Sequence, residues 1–175
     1  MKRLTTKILV LAVALSTAAA VISFADVASA DSADFGAKGA EGKMGLTVEQ
    51  MLTYAIQDEY LARAEYELII GEYGSIRPFT NIVAAEQRHI DWVTELLEEY
   101  GYDLPEDTAH VYVVLPKDLE SSFETGVQAE IDNIAMYESF LRTDLPADVR
   151  DLFERLKGAS QNHLRAFRNN LNRYN

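Results

Sequence analysis

Five side chains along this sequence could act on one point. Glu59, Glu86, His89, Glu130 and His163 pair carboxylate oxygen with imidazole nitrogen, and the 175 residues include no cysteine. Without thiolate, oxygen and nitrogen are the donors left for a transition metal. The pattern repeats: Ala85-Glu86-Gln87-Arg88-His89-Ile90 returns in the second half of the chain as Ala159-Ser160-Gln161-Asn162-His163-Leu164. Glu59 stands two turns before Tyr66, and Glu130 stands two turns before Tyr137. The step from Glu59 to His89 nearly matches the step from Glu130 to His163. A Glu-x-x-His spacing puts both side chains on neighbouring turns of one helix face, within reach of a common point. The repeat breaks once, where Glu86 has Ser160 as its counterpart.

Four amphipathic helices must position these groups. Thr47 and Gln50 form a capping box that opens a helix running to about Tyr73, ended by Gly74. Its apolar stripe is Leu52, Ile56, Tyr66 and Ile70, with Glu59 on the same stripe. A second helix runs from Pro78 to about Tyr100, with Glu86 and His89 central to its apolar face. Residues 102–117 break the pattern with Pro105 and Pro116 and suit a long crossover; Val111 to Leu115 reads as a short extended run with no obvious partner. The third helix spans about Leu119 to Leu141 around Glu130, where Gly126 allows a neighbouring helix to approach closely. The fourth spans about Ala147 to Arg173 around His163. The fold class is all-α: a four-helix bundle with one long crossover between helices 2 and 3.

A buried ionised carboxylate costs several kilocalories per mole unless something compensates it. Three glutamates midway along apolar stripes therefore ask for partners. Metal is one answer. Ion pairs from Glu59 to Arg63 or Arg88 are another, and hydrogen-bonded core histidines and ordinary core tyrosines complete the alternative. His110 reads as solvated, and Glu65, Glu67, Glu95, Glu98 and Glu99 read as outer-face charge.

The stretch Asp58 to Tyr66, the Glu86-Gln87-Arg88-His89 motif, the run from Glu130 to Tyr137 and Gln161-Asn162-His163 together resemble the ferritin-like superfamily. Within it they look like the rubrerythrin-like di-iron carboxylate proteins, and more narrowly an exported, cysteine-free branch carried as a domain of unknown function. The resemblance covers about residues 47–172. It implies a ferritin-like bundle in which Glu59 and Glu130 are terminal carboxylates, Glu86 bridges, and His89 and His163 give one nitrogen to each metal. It also implies that Tyr66 and Tyr137 hydrogen-bond the carboxylates across the bundle. Ser160 departs from the pattern, which has a second bridging Glu there; Asp132, Asn133, Gln161 or water are the candidates to fill the gap. The implied cofactor is iron, one or two ions, with manganese or zinc as alternatives. The implied chemistry is Fe(II) oxidation or removal of peroxide or dioxygen, with an external electron donor because no cysteine offers a built-in one. The alternative is a non-catalytic helical envelope protein whose metal site has degenerated.

The ends and composition add a setting. Lys2, Arg3 and Lys7, an apolar run from Ile8 to Ile22 and Ala28-Ser29-Ala30 predict an export signal cleaved after Ala30, too short to remain as a membrane span. Residues 31–45 then read as a flexible leader, and 46–175 as one domain. The signal carries three of the 16 basic and one of the 28 acidic residues, leaving 13 against 27 and a net charge of −14. Such a surface repels phosphate backbones, which argues against nucleic acid as a partner; it could draw cations, but most such charge is simply a solvated face. Dimerisation of the chain is left open.

Overall fold

The computed structural model describes residues 34–174. The expected export signal at residues 1–30, with its cleavage point, lies outside them. Among the described residues five α-helices follow in order: α1 (Gly36–Ala40), α2 (Val48–Tyr73), α3 (Phe79–Glu99), α4 (Leu119–Phe140) and α5 (Ala147–Leu171), with a 3-10 turn at Ala109–Val111. No strand occurs among the described residues, and no described helix is long and apolar enough to cross a membrane.

Local chemistry sets the helix ends. Thr47 Oγ1 accepts from Gln50 N while the Gln50 side chain accepts from Thr47 N, so the expected capping box is formed. Gly74 and Gly101 stop α2 and α3 at φ of 87° and 70°, conformations that cost glycine little. A second capping box, Asp118 with Ser121, starts α4. Short turns join α2 to α3 and α4 to α5, so each pair packs closely along its length. The Val111–Leu115 run forms no strand; Val114 is largely exposed, and the segment crosses the outside of α2 and α4.

Two apolar clusters stack along the helices. One gathers Leu52, Ile56, Val93, Leu97, Phe140 and Phe153; the other gathers Tyr66, Ile69, Phe79, Ile82, Phe123 and Phe167. Each fully buried aromatic contributes about 1.5–3 kcal/mol from area alone. Between the clusters every long helix places polar residues: Glu59 on α2, Glu86 and His89 on α3, Glu130 and Asn133 on α4, Ser160 and His163 on α5. The core is thus two greasy halves around one polar layer.

The leader expectation needs correction. Residues 36–40 are helical, and Phe35, Ala37 and Ala40 are buried against the bundle. Two hydrogen bonds hold the segment, Ala37 N donating to Asp58 Oδ1 at 2.8 Å and Gly36 N to Gln57 Oε1 at 3.2 Å. A glycine-rich composition hid one aromatic anchor and a carboxylate waiting for a backbone donor.

Gly126 does admit a close neighbour. A Cβ there would lie 2.8 Å from carbons of the buried Phe167 ring. Gly126→Ala is expected to destabilise by about 1–2 kcal/mol, because overpacking outweighs the roughly 1 kcal/mol that alanine brings to a helix. Gly158→Ala in α5, where nothing lies within 4 Å, is expected to stabilise by up to about 1 kcal/mol. Urea midpoints at unchanged m-value check both; a more stable Gly126→Ala would mean the ring yields.

Candidate metal centre

The polar layer draws on all four long helices. His89 Nδ1 lies 2.7 Å from Glu86 Oε2 and 3.1 Å from Glu59 Oε2. His163 Nδ1 lies 3.2 Å from Glu86 Oε1 and 3.3 Å from Glu130 Oε1. Glu86 is therefore shared, with one oxygen turned to each imidazole. The ligand atoms of Glu59, Glu86 and His89 lie within 4.8 Å of one another, and so do those of Glu86, Glu130 and His163. The two imidazole rings face each other with centroids 5.7 Å apart. All five residues singled out by spacing converge.

Two tyrosines close the layer from opposite sides. Tyr66 Oη donates to Glu130 Oε1 at 3.0 Å and Tyr137 Oη to Glu59 Oε1 at 2.8 Å. Both rings are fully buried, so each hydroxyl orients a carboxylate belonging to the other helix pair. Such outer hydrogen bonds fix the direction in which a ligand oxygen points.

The break in the repeat is filled by an amide. Ser160 Oγ donates to Asn133 Oδ1 at 3.1 Å, and Asn133 Nδ2 donates to Asp58 Oδ2 at 2.6 Å. Of the candidates for the gap, Asn133 is the one that meets Ser160. Asp132 is half-buried beside Gln128, from which it accepts at 2.8 Å, and Gln161 is exposed. The suggested ion pairs for Glu59 do not form: Arg63 reaches Asp107, and Arg88 caps the carbonyl of Ala84.

No lysine or arginine among the described residues pairs with these carboxylates. Burial favours the neutral form of each group, and the neighbours then decide. Against burial, Glu59 and Glu86 hold His89 protonated up to about 9, and Glu130 and Glu86 hold His163 protonated up to about 10. Burial also opposes ionisation of Glu86, yet His163 and His89 draw its carboxyl down to about 2. Burial lifts Glu59 to about 8, with the Glu86 charge adding to it, and lifts Glu130 as well. The layer is held together by protons shared between anions and imidazoles, and no buried side-chain nitrogen or oxygen among the described residues lacks a partner. Buried carboxylates and imidazoles converging at these distances, without basic side chains to neutralise them, are a donor set that fits divalent cations.

Two acidic residues carry more than their spacing suggested. Glu65, read as outer-face charge, is half-buried in the wall of a cavity, where burial, then Asp58 and Glu130, push its carboxyl up to about 7. Asp58 lines the same cavity, and burial likewise lifts it to about 7. The two-turn step from Asp58 to Glu65 places both on one stripe of α2, and that stripe is the sequence signal that marks them. His110 is exposed, as expected.

Comparison with known proteins finds relatives of this chain. The family described as "Uncharacterized protein domain (DUF2202)" matches residues 48–174. Uncharacterized protein MJ0754 of Methanocaldococcus jannaschii is similar, at 29% identity over 133 residues, spanning 67% of this chain and 71% of that one. The crystal structure of hypothetical protein MJ0754 from Methanococcus jannaschii DSM 2661 superposes with a TM-score of 0.64 at 26% identity, covering 75% of this chain and 85% of that chain.

Proposed function

We propose that this chain, which belongs to the DUF2202 family, is an exported ferritin-like protein that holds metal, iron foremost, at its carboxylate–histidine layer and oxidises Fe(II) or removes peroxide. The observation that carries the reading is Glu86, whose two oxygens face two imidazoles, each completed by a further glutamate. Glu59 and His89 would hold one ion, Glu130 and His163 the other, and Glu86 both. Iron bound there would supply the electrons for O–O bond cleavage. The chain's own residues orient the carboxylates through Tyr66 and Tyr137, pack an apolar cluster on either side of the layer, and, before a metal ion arrives, hold protons on His89 and His163. Having no cysteine, the sequence offers no thiolate relay, so repeated turnover draws on an external reductant. The basic and then apolar residues 2–22 support export; N-terminal sequencing of the cellular protein should begin at Asp31.

Ser160 favours a second reading, a non-catalytic envelope bundle whose second position has lost a carboxylate. Anaerobic Fe(II) loading of the purified protein separates the two. Two ions per chain, lost on replacing His89 and His163 with alanine, support the first. Fewer than one ion per chain, unaffected by those replacements, would leave only the second.

Metal binding should also depend on pH in a defined direction. Both imidazoles carry protons until about pH 9 and 10, and Glu59 until about 8. A metal ion must displace them, so affinity rises with pH and levels off above those values. Between pH 6 and 8 the expected slope is about tenfold per unit for each proton released, with at least two released. Calorimetry in buffers of different ionisation enthalpy counts them. An affinity flat with pH would place the metal elsewhere.

A further inference from the structure

A cavity of about 440 Å³ lies between α2 and α4, roofed by the crossing segment Val113–Pro116. Its deep end is formed by the buried Glu86 and Glu130, its walls by Leu61 and Glu65 of α2 and Thr125 and Asn133 of α4. It touches one edge of the polar layer and leaves Glu59, His89 and His163 behind that edge.

Size comes first. A water takes about 30 Å³ in the liquid, and dioxygen or peroxide needs space of that order. The cavity exceeds this more than tenfold and falls within the roughly 300–1,000 Å³ of pockets that hold organic ligands. Charge comes second. Asp58, Glu65, Glu86, Glu130 and Asp132 all line it, against Lys38 as the one basic residue there, and Lys38 is mostly exposed and lies 3.9 Å from Glu41. Glu65 has no hydrogen bond or ion pair to any described residue. An anion is repelled from such a space and a cation drawn in.

The spacing then decides between kinds of cation. The only described groupings of three ligands within 4.8 Å are the two in the polar layer. Asp58, Glu65 and Asp132 do not converge, and apolar surface from Leu61, Val113 and Leu115 lies among the wall residues. Scattered carboxylates with hydrocarbon between them do not suit a bare metal ion. They suit a molecule that carries its charge on an apolar body. We propose that this cavity binds a small organic ammonium ion, an alkyl- or arylalkylamine. Its ammonium pairs with Glu65, its apolar body packs on Leu61, Val113 and Leu115, and its far end meets the Glu86–Glu130 edge. Glu65, the partner of the ammonium, is in neither ligand group of the layer, so the proposal does not rest on the metal reading.

The test is titration of the purified protein, metal-free and metal-loaded, with 2-phenylethylammonium, the like-sized anion 3-phenylpropionate and neutral 3-phenylpropan-1-ol, followed by NMR shifts. Saturable binding of the ammonium ion is expected, at least tenfold tighter than the anion. Glu65→Gln should weaken it at least fivefold and leave the neutral alcohol unchanged. Leu61→Trp, which fills the cavity, should abolish it while circular dichroism stays native; Val113→Trp in the crossing segment serves if Leu61→Trp fails to fold. No saturable binding, equal affinity for the anion, or binding that survives a folded cavity-filling variant overturns the proposal. Ammonium binding to protein that takes up no metal would uphold the cavity and sink the metal reading, so the two failures stay distinct.

Discussion

Glu86→Gln is expected to strip metal from both positions of the layer at once. Glu86 alone belongs to both ligand groups, one oxygen toward His89 at 2.7 Å and the other toward His163 at 3.2 Å. Loss of a hydrogen bond behind a metal ligand costs about 10- to 100-fold in affinity, so loss of an anionic ligand common to two ions should cost at least about 100-fold at each. His89→Ala and His163→Ala should mainly affect one position apiece. Metal content after dialysis against a graded chelator reads all three. Glu86 also pairs with both imidazolium ions in the metal-free protein, and breaking a buried charge pair costs about 3–5 kcal/mol. The metal-free variant should lose stability of that order at pH 6, where both histidines are protonated. Retention of two ions by Glu86→Gln would refute the shared-carboxylate arrangement.

Ser160→Glu tests the break in the repeat from the other side. Ser160 is 3% exposed and beside Asn133 and His163 in the layer. A fourth carboxylate there has no free positive partner in the metal-free protein, and an uncompensated buried charge should destabilise it by about 3–5 kcal/mol. With metal the sign of the effect changes, because the new oxygen faces a cation. Stabilisation by ligand grows with its concentration relative to Kd, so added Mn(II) or Fe(II) should recover more stability in the variant than in the parent chain. Urea unfolding with chelator and with metal makes the comparison. Equal loss in both conditions would show that position 160 does not look onto a metal.

The layer was readable because its cost was. Glu59, Glu86 and Glu130 stand where a helix stripe calls for hydrocarbon, and a duplicated His frame gave those misfits a common purpose. Helix ends were readable for a local reason: Thr47 with Gln50, and Gly74, act on their own backbone neighbours. What stayed hidden depends on pieces meeting from afar. Phe35 looks like one aromatic in a flexible leader until Asp58, well along α2, supplies an acceptor for the backbone beside it. Glu65 looks like surface charge until the crossing segment roofs it. That Asn133, rather than its neighbour Asp132, answers Ser160 turns on the rotation of α4 against α5, which no spacing within α4 reveals.

The two ligand groups also differ in how much of the chain must be in place before they exist. Glu59, Glu86 and His89 all sit on α2 and α3, so that group is complete within a single helical hairpin. Glu130 and His163 need Glu86 from the earlier hairpin, and that contact closes a loop containing the rest of α3, the crossover, all of α4 and most of α5. Contacts close in sequence form early and cheaply; distant ones wait for the halves to dock. If the layer holds metal as proposed, the first position would take up an ion on a half-assembled chain, while the second would report that assembly is finished.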